Sequence, residues 1–126
     1  MTPLHLVDRT RHFAAMQQSA ETRERLARAE LVNDLSVGAG PIEAADALQA
    51  WARAAARLAV AQAAHAFIAD DGELLQVIDH LAAQLPVQFS PDLSDVERST
   101  RHGHLDQLVE IVTYVARLTG TTMLLP

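Results

Sequence analysis

The chain has 126 residues, of which 49% are hydrophobic, and it carries a net charge of −6 at pH 7. This length suits one domain with a modest core, so we expect a single domain over residues 1–126. The absence of cysteine excludes disulfides, thiolate metal sites and cysteine nucleophiles. The acidic balance argues against nucleic acid as a partner, because such binding needs a basic face.

The ends and apolar runs of the chain bear on its location. The amino terminus lacks the basic region and apolar region of a signal peptide, and no apolar run reaches the roughly 18–20 residues of a membrane span. We therefore expect a cytoplasmic protein with no membrane partner. All ten basic residues are arginine, and alanine is abundant. This bias is typical of a high-GC genome and favours a bacterial source.

The first predicted helix covers residues 3–35. Pro3 suits a first helical turn, and apolar residues recur beyond it at seven-residue spacing. The pattern becomes polar between Gln17 and Arg25, where glutamate–arginine pairs four residues apart support an exposed helix surface. One long helix is the main interpretation. The alternative is two helices broken near Ser19.

The second predicted helix covers residues 41–69, after a turn that contains two glycines and a proline. It holds 14 alanines, and Leu58 to Ala69 carry no formal charge. A helix that is apolar on every side needs neighbours on every side, so this one is the centre of a bundle or part of a subunit interface. Gln62 and His65 lie in the uncharged half. We predict that they are a buried polar or interface pair with hydrogen-bond partners, and a pH-sensitive or ligand-facing pair is the alternative.

Two further helices are predicted over residues 72–85 and 94–118. Ser94 and Glu97 form a capping-box pattern at the start of the last helix. Short connections favour antiparallel neighbours, so the predicted fold is all-α, an antiparallel up-down bundle of four principal helices. The predicted core-facing residues of the last helix are Leu105, Leu108, Val109, Val112, Val115 and Ala116.

The start of the last helix holds the most suggestive polar cluster. Its members could be solvated at the end of the bundle, or they could line a polar pocket for a small anionic ligand such as a carboxylate or phosphate. The ligand-binding candidates are Arg98, Arg101, His102, His104 and Asp106. Helical residues two apart point about 200° from each other, so the two histidines cannot share an ion. We therefore predict no metal site and no cofactor.

Residues 101–111 also resemble the phosphoacceptor helix of sporulation-type sensor kinases. The resemblance rests on the Arg101-His102 pair, followed by leucine and isoleucine at similar offsets. The chain departs from that family at Gly103, where the family has an acidic residue, and at Asp106, where it has asparagine. The resemblance implies that His102 accepts a phosphoryl group in a four-helix body suited to dimerisation.

The sequence contains no glycine-rich phosphate loop, no nucleophile elbow and no Glu-x-x-His pair. We therefore expect a small interaction or assembly protein, an adaptor or regulator, rather than an enzyme. We expect its partner to be another protein or a second copy, and a homo-oligomer would bury part of the second helix or of the long first helix. The alternative is a ligand-binding or histidine phosphotransfer module. A weaker alternative is a small all-helical enzyme, for which the sequence identifies no catalytic residue.

Overall fold

The protein is an all-α helical bundle, as predicted. The structure, a computed structural model, describes residues 4–38, 40–84 and 94–119. The helices are α1 (Leu4–Ser36), α2 (Pro41–Ala69), α3 (Val77–Gln84) and α4 (Asp95–Thr119), and a short 3-10 turn, Leu74–Gln76, precedes α3.

The first helix is continuous, so the alternative of a break near Ser19 is wrong. Side-chain hydrogen bonds between residues four apart span the polar stretch, and Gln17 Nε2 donates to Glu21 Oε1 at 2.9 Å. The helix ends before Gly38, whose φ of 70° lies in the left-handed region that glycine adopts without a steric cost. The turn then leads directly into Pro41 of α2.

The alanine-rich α2 is the central helix, and it packs against both α1 and α4. Small side chains on its buried positions allow both neighbours to approach closely. One buried stripe of α2 recurs at seven-residue spacing and consists of Ala47, Ala54, Ala61 and Ile68. The main core cluster combines α2 with α1, the 3-10 turn, α3 and α4, and its largest members include Phe13, Leu74, Leu81, Ile111 and Val115.

The two helices α2 and α4 run in the same direction along the bundle. Arg53 Nη2 lies 2.6 Å from Asp106 Oδ2, and Arg57 Nη2 lies 2.7 Å from Glu110 Oε2. In both pairs the α4 residue comes 53 residues after the α2 residue. One turn forward along α2 therefore corresponds to one turn forward along α4. This direction is the one expected of the second and fourth members of an up-down bundle.

The backbones of α4 and α2 approach closely at Gly103, which is buried. A Cβ atom at this position would collide with the carbonyl oxygen of Arg53 and would lie 2.8 Å from the Cβ of Ala56. Glycine is therefore required here by packing, although its helix propensity is poor. The contact fixes which face of α4 meets α2.

This contact explains one wrong prediction about α4. Leu105 and Val109 were expected to face the core, yet they are 49% and 50% exposed. Gln107 and Ile111, which follow Gly103 at four-residue spacing, are buried instead. Val112 and Val115 are buried as predicted. Because Gly103 allows the two backbones to touch, it turns α4 about its axis relative to the apolar pattern.

The start of α4 agrees with the predicted capping pattern. The backbone N–H of Glu97 donates to Ser94 Oγ at 3.2 Å. By contrast, α3 is shorter than the predicted range of 72–85. Glu73 has an extended backbone, with φ −75° and ψ 134°, so helical structure begins only at Leu74. Residue 85 lies outside the described residues.

A Schellman motif ends α2. The backbone N–H of Gly72 donates to the Phe67 carbonyl oxygen at 2.8 Å, and Asp71 has a φ of 61°. A Cβ at Gly72 would collide with that same carbonyl oxygen. Glycine at position 72 is thus required by close packing, whereas the left-handed residue is the aspartate before it.

We predict that Asp71→Gly stabilises the protein by about 0.5–1 kcal/mol, because glycine adopts the left-handed conformation without the Cβ strain of an L-residue. Urea unfolding of the two proteins measures the difference. Asp79→Gly in the exposed face of α3 is the matched control and should destabilise by about 0.5–1 kcal/mol, since the helix interior disfavours glycine. Equal losses from both substitutions would contradict the prediction.

Candidate functional site

The polar residues at the start of α4 point in different directions. Arg98 is exposed and lies 3.7 Å from Asp95, and His102 is exposed as well. His104 is half-buried, and Asp106 turns toward α2 to pair with Arg53. Arg101, the fifth candidate, is half-buried. Asp106 is therefore engaged by α2, whereas Arg98 and His102 lie on the exposed surface of α4.

An ordered polar seam between α2 and α4 is the feature that sequence reasoning missed. Arg57 Nε donates to Gln107 Oε1 at 3.2 Å, while its Nη2 donates to Glu110. Arg53 donates from Nε to Asp106 Oδ2 at 2.7 Å. The signal was present in the spacing. Two arginines four residues apart on α2 match two carboxylates four residues apart on α4.

Gln107 is the most deeply buried polar side chain of this seam, at 1% exposure. Its Oε1 accepts from Arg57, and its Nε2 has no hydrogen-bond partner among the residues that the structure describes. The arginine fixes the orientation of the amide, because the flipped amide would place one donor against another. Both arginines of the seam are paired with carboxylates of α4. The seam therefore sets the register of the two helices and does not offer a site for an anion.

The half-buried His104 lies on the flank of α4 that turns toward the core, and burial lowers its pKa from the ordinary value of 6.5. The unfolded chain therefore binds a proton over a pH range in which folded His104 does not. The free energy of unfolding should fall as pH decreases through 6.5 toward the lowered pKa. Above pH 6.5 the contribution of neutral His104 to that free energy should be fully present. We expect His104→Gln to reduce this slope in urea unfolding measured from neutral to mildly acidic pH. An unchanged slope would contradict the assignment.

The two polar residues of the uncharged half of α2 have different surroundings. His65 is half-buried, and its Nδ1 lies 2.7 Å from Gln17 Oε1. Gln17 in turn donates to Glu21, so a hydrogen-bonded chain joins α2 to α1. The predicted burial of Gln62 is wrong, because its side chain is exposed within the chain. Residues three apart on a helix differ by about 60° in direction, which is enough to place one against α1 and the other outside.

One side of α2 has no cover from the described helices. We call it the open stripe. Its members are uncharged, and each is exposed or half-buried. Four members, Leu48, Ala55, Gln62 and Ala69, lie one residue after the members of the buried stripe, and the other two, Ala59 and Ala66, lie one helical turn before Gln62 and Ala69. The uncharged half of α2 is thus covered on some sides and open on one.

A second apolar region surrounds the turn between α1 and α2. Leu35, Val37 and Ile42 are 64–75% exposed there. Large exposed apolar side chains that cluster, rather than occurring singly, are typical of contact surfaces. This region lies at the same end of α2 as Leu48, the first member of the open stripe.

Other classes of site find little support in the described part of the chain. No group of three histidine, aspartate or glutamate side chains within it is placed to hold a metal ion. Among the helices of residues 4–38, 40–84 and 94–119, none combines the length and apolar character that crossing a bilayer requires.

No protein-family model, curated protein or solved structure matches this chain.

Proposed function

We propose that this chain is a small assembly protein whose copies associate through the open stripe of α2. The observation that carries the proposal is the exposure of an uncharged helix side in a chain of net charge −6. The exposed faces of the other helices carry charged side chains such as Arg23, Arg25 and Glu30 on α1. A surface without charge can lose its water at low cost, because no ion has to be desolvated.

The side chains of the open stripe favour close packing of one helix against another. Alanine adds little bulk, so two α2 helices can approach with their backbones near each other. Alanine also loses no side-chain entropy when it is buried. The expected affinity is modest, with a dissociation constant on the order of micromolar, because a stripe of alanines buries less apolar area than leucine would.

The pattern of the stripe is self-complementary. Gln62 lies midway between Ala55 and Ala69 in the sequence, so a two-fold axis near Gln62 places Ala55 of one copy opposite Ala69 of the other. The amide of Gln62 contains both donors and an acceptor, and two copies can exchange hydrogen bonds across the axis. A second copy of this chain is therefore the partner that the stripe fits.

Light scattering after size-exclusion chromatography tests the proposal. The monomer has a mass of 13.7 kDa. We expect the measured mass to approach twice this value at about 100 micromolar and to fall toward the monomer on dilution through the micromolar range. A monomer mass at every concentration would exclude self-association and leave a different protein as the partner.

The histidine phosphotransfer alternative has one favourable observation. His102 is exposed, so a phosphodonor can reach its ring. The neighbouring Gly103, by contrast, serves helix packing. Phosphoramidate transfers its phosphoryl group to imidazole with loss of ammonia, so incubation with it followed by mass spectrometry tests the alternative. Labelling that His102→Ala abolishes would support it, and labelling spread over several histidines would not.

A further inference from the structure

A groove lies between the end of α2 and α3. Its volume is about 430 Å³, within the range of small-ligand sites. Ala63 and Ala66 of α2 contribute an apolar wall, and the turn contributes Asp70. His80 and Gln84 line the groove from α3. The groove thus combines an apolar surface with a few polar groups from more than one element.

Two stacked rings form part of the lining. The centroids of Phe67 and His80 are 4.4 Å apart, and the ring planes differ by 24°. The Nε2 of Gln84 lies 3.2 Å from the Nε2 of His80, so the two side chains of α3 that line the groove contact each other. His80 is half-buried in this contact with Phe67. Aromatic faces attract cations through their quadrupole.

The carboxylate that lines the groove belongs to Asp70, and no arginine of the described residues lines it. No arginine or lysine occurs between Arg57 and Arg98 in the sequence. Asp70, at the edge of the groove, follows the last residue of α2, where the helix dipole is also negative. Asp71 and Glu73 continue the same turn, and both are exposed. A positive charge is therefore favoured over an anion beside Asp70.

We propose that this groove binds an organic cation with an apolar body, such as an aryl-alkyl ammonium. The ammonium group pairs with the Asp70 carboxylate at the end of α2. The apolar body lies on Ala63 and Ala66 beside the face of Phe67. A metal ion is a poorer fit, because the lining offers a single carboxylate and a single imidazole.

Titration with phenethylammonium chloride, followed by the backbone amide signals of the isotope-labelled protein, tests this proposal. We expect saturable shifts at Ala66, Gly72 and Gln84, with a dissociation constant on the order of 1 mM. The neutral analogue 2-phenylethanol should bind at least about fivefold more weakly, since it lacks the charge. Equal binding of the two probes, or no saturable shift with either up to about 20 mM, would overturn the proposal.

Asp70→Asn tests whether the ammonium group pairs with Asp70, because it keeps the shape of the side chain and removes its charge. We expect about fivefold weaker binding of phenethylammonium. Glu43→Gln, at an exposed position near the start of α2, is the matched control and should leave binding unchanged. Added salt should weaken the binding to the native protein, which tests the charge without any substitution. Insensitivity to both Asp70→Asn and salt would contradict the assignment.

Discussion

Gly103→Leu is expected to destabilise the protein by at least about 3 kcal/mol, because the new side chain must occupy space that the α2 backbone fills. Even a Cβ at this position collides with the carbonyl oxygen of Arg53. A backbone atom in the middle of a helix cannot move aside as a side chain can. The whole of α4 must then shift, and the polar seam of Arg53 and Arg57 with Asp106 and Glu110 loses its register.

Whether Gly103→Leu raises or lowers the free energy of unfolding distinguishes an effect of packing from an effect of helix propensity. Leucine and alanine favour a helix over glycine by up to about 1 kcal/mol, so propensity alone predicts stabilisation. Urea unfolding measures the outcome, and Gly103→Ala gives a second point of smaller volume that should also destabilise. His102→Leu, at the exposed neighbouring position, is the matched control and should change stability by less than about 0.5 kcal/mol. A Gly103→Leu protein as stable as the native one would refute the close contact of α2 and α4.

Gln62→Arg is expected to weaken self-association at least about 100-fold, since it brings two like charges together at the proposed two-fold axis and buries them without a partner. The folded monomer should keep its stability within about 0.5 kcal/mol, because Gln62 is exposed and arginine is a good helix former. Sedimentation equilibrium gives the dissociation constant, and urea unfolding gives the stability.

Ala50→Arg is the matched control for this substitution. Ala50 is also exposed on α2, but it lies about 120° around the helix from Gln62. The same added charge at this position should change the dissociation constant by less than about threefold. Equal weakening by both variants would mean that net charge, rather than the open stripe, governs association.

The sequence predicts which segments are helical better than it predicts which face of a helix is buried. The bounds of α2 agree with the prediction, because Gly40 and Pro41 start the helix and Asp71 and Gly72 end it with strong local signals. The continuity of α1 follows from good helix formers through its polar stretch. The short α3 departs from its predicted range because Glu73 is extended and a 3-10 turn, Leu74–Gln76, precedes the helix.

The face of α4 could not be predicted from periodicity alone. Two apolar stripes compete on this helix, one through Leu105 and Val109 and the other through Ile111 and Val115. The choice depends on Gly103, whose role appears only when α2 is beside it. The pairing of Arg57 with Gln107 could not be predicted for the same reason. A contact between residues far apart in the sequence can be assigned only once the register of the two helices is known. The predicted role of Gln62 at an interface remains a proposal, although its predicted burial within the chain is wrong.

Disulfide trapping of Gln62→Cys tests the central claim most directly, because the chain has no cysteine of its own. A two-fold axis near residue 62 brings the two introduced thiols within disulfide distance, with Cα atoms about 4.4–6.8 Å apart. We predict that mild oxidation converts most of the Gln62→Cys protein to a covalent dimer, whereas Ala50→Cys stays largely monomeric. Equal cross-linking of the two variants, or a Gln62→Cys protein that remains monomeric, would contradict association through the open stripe.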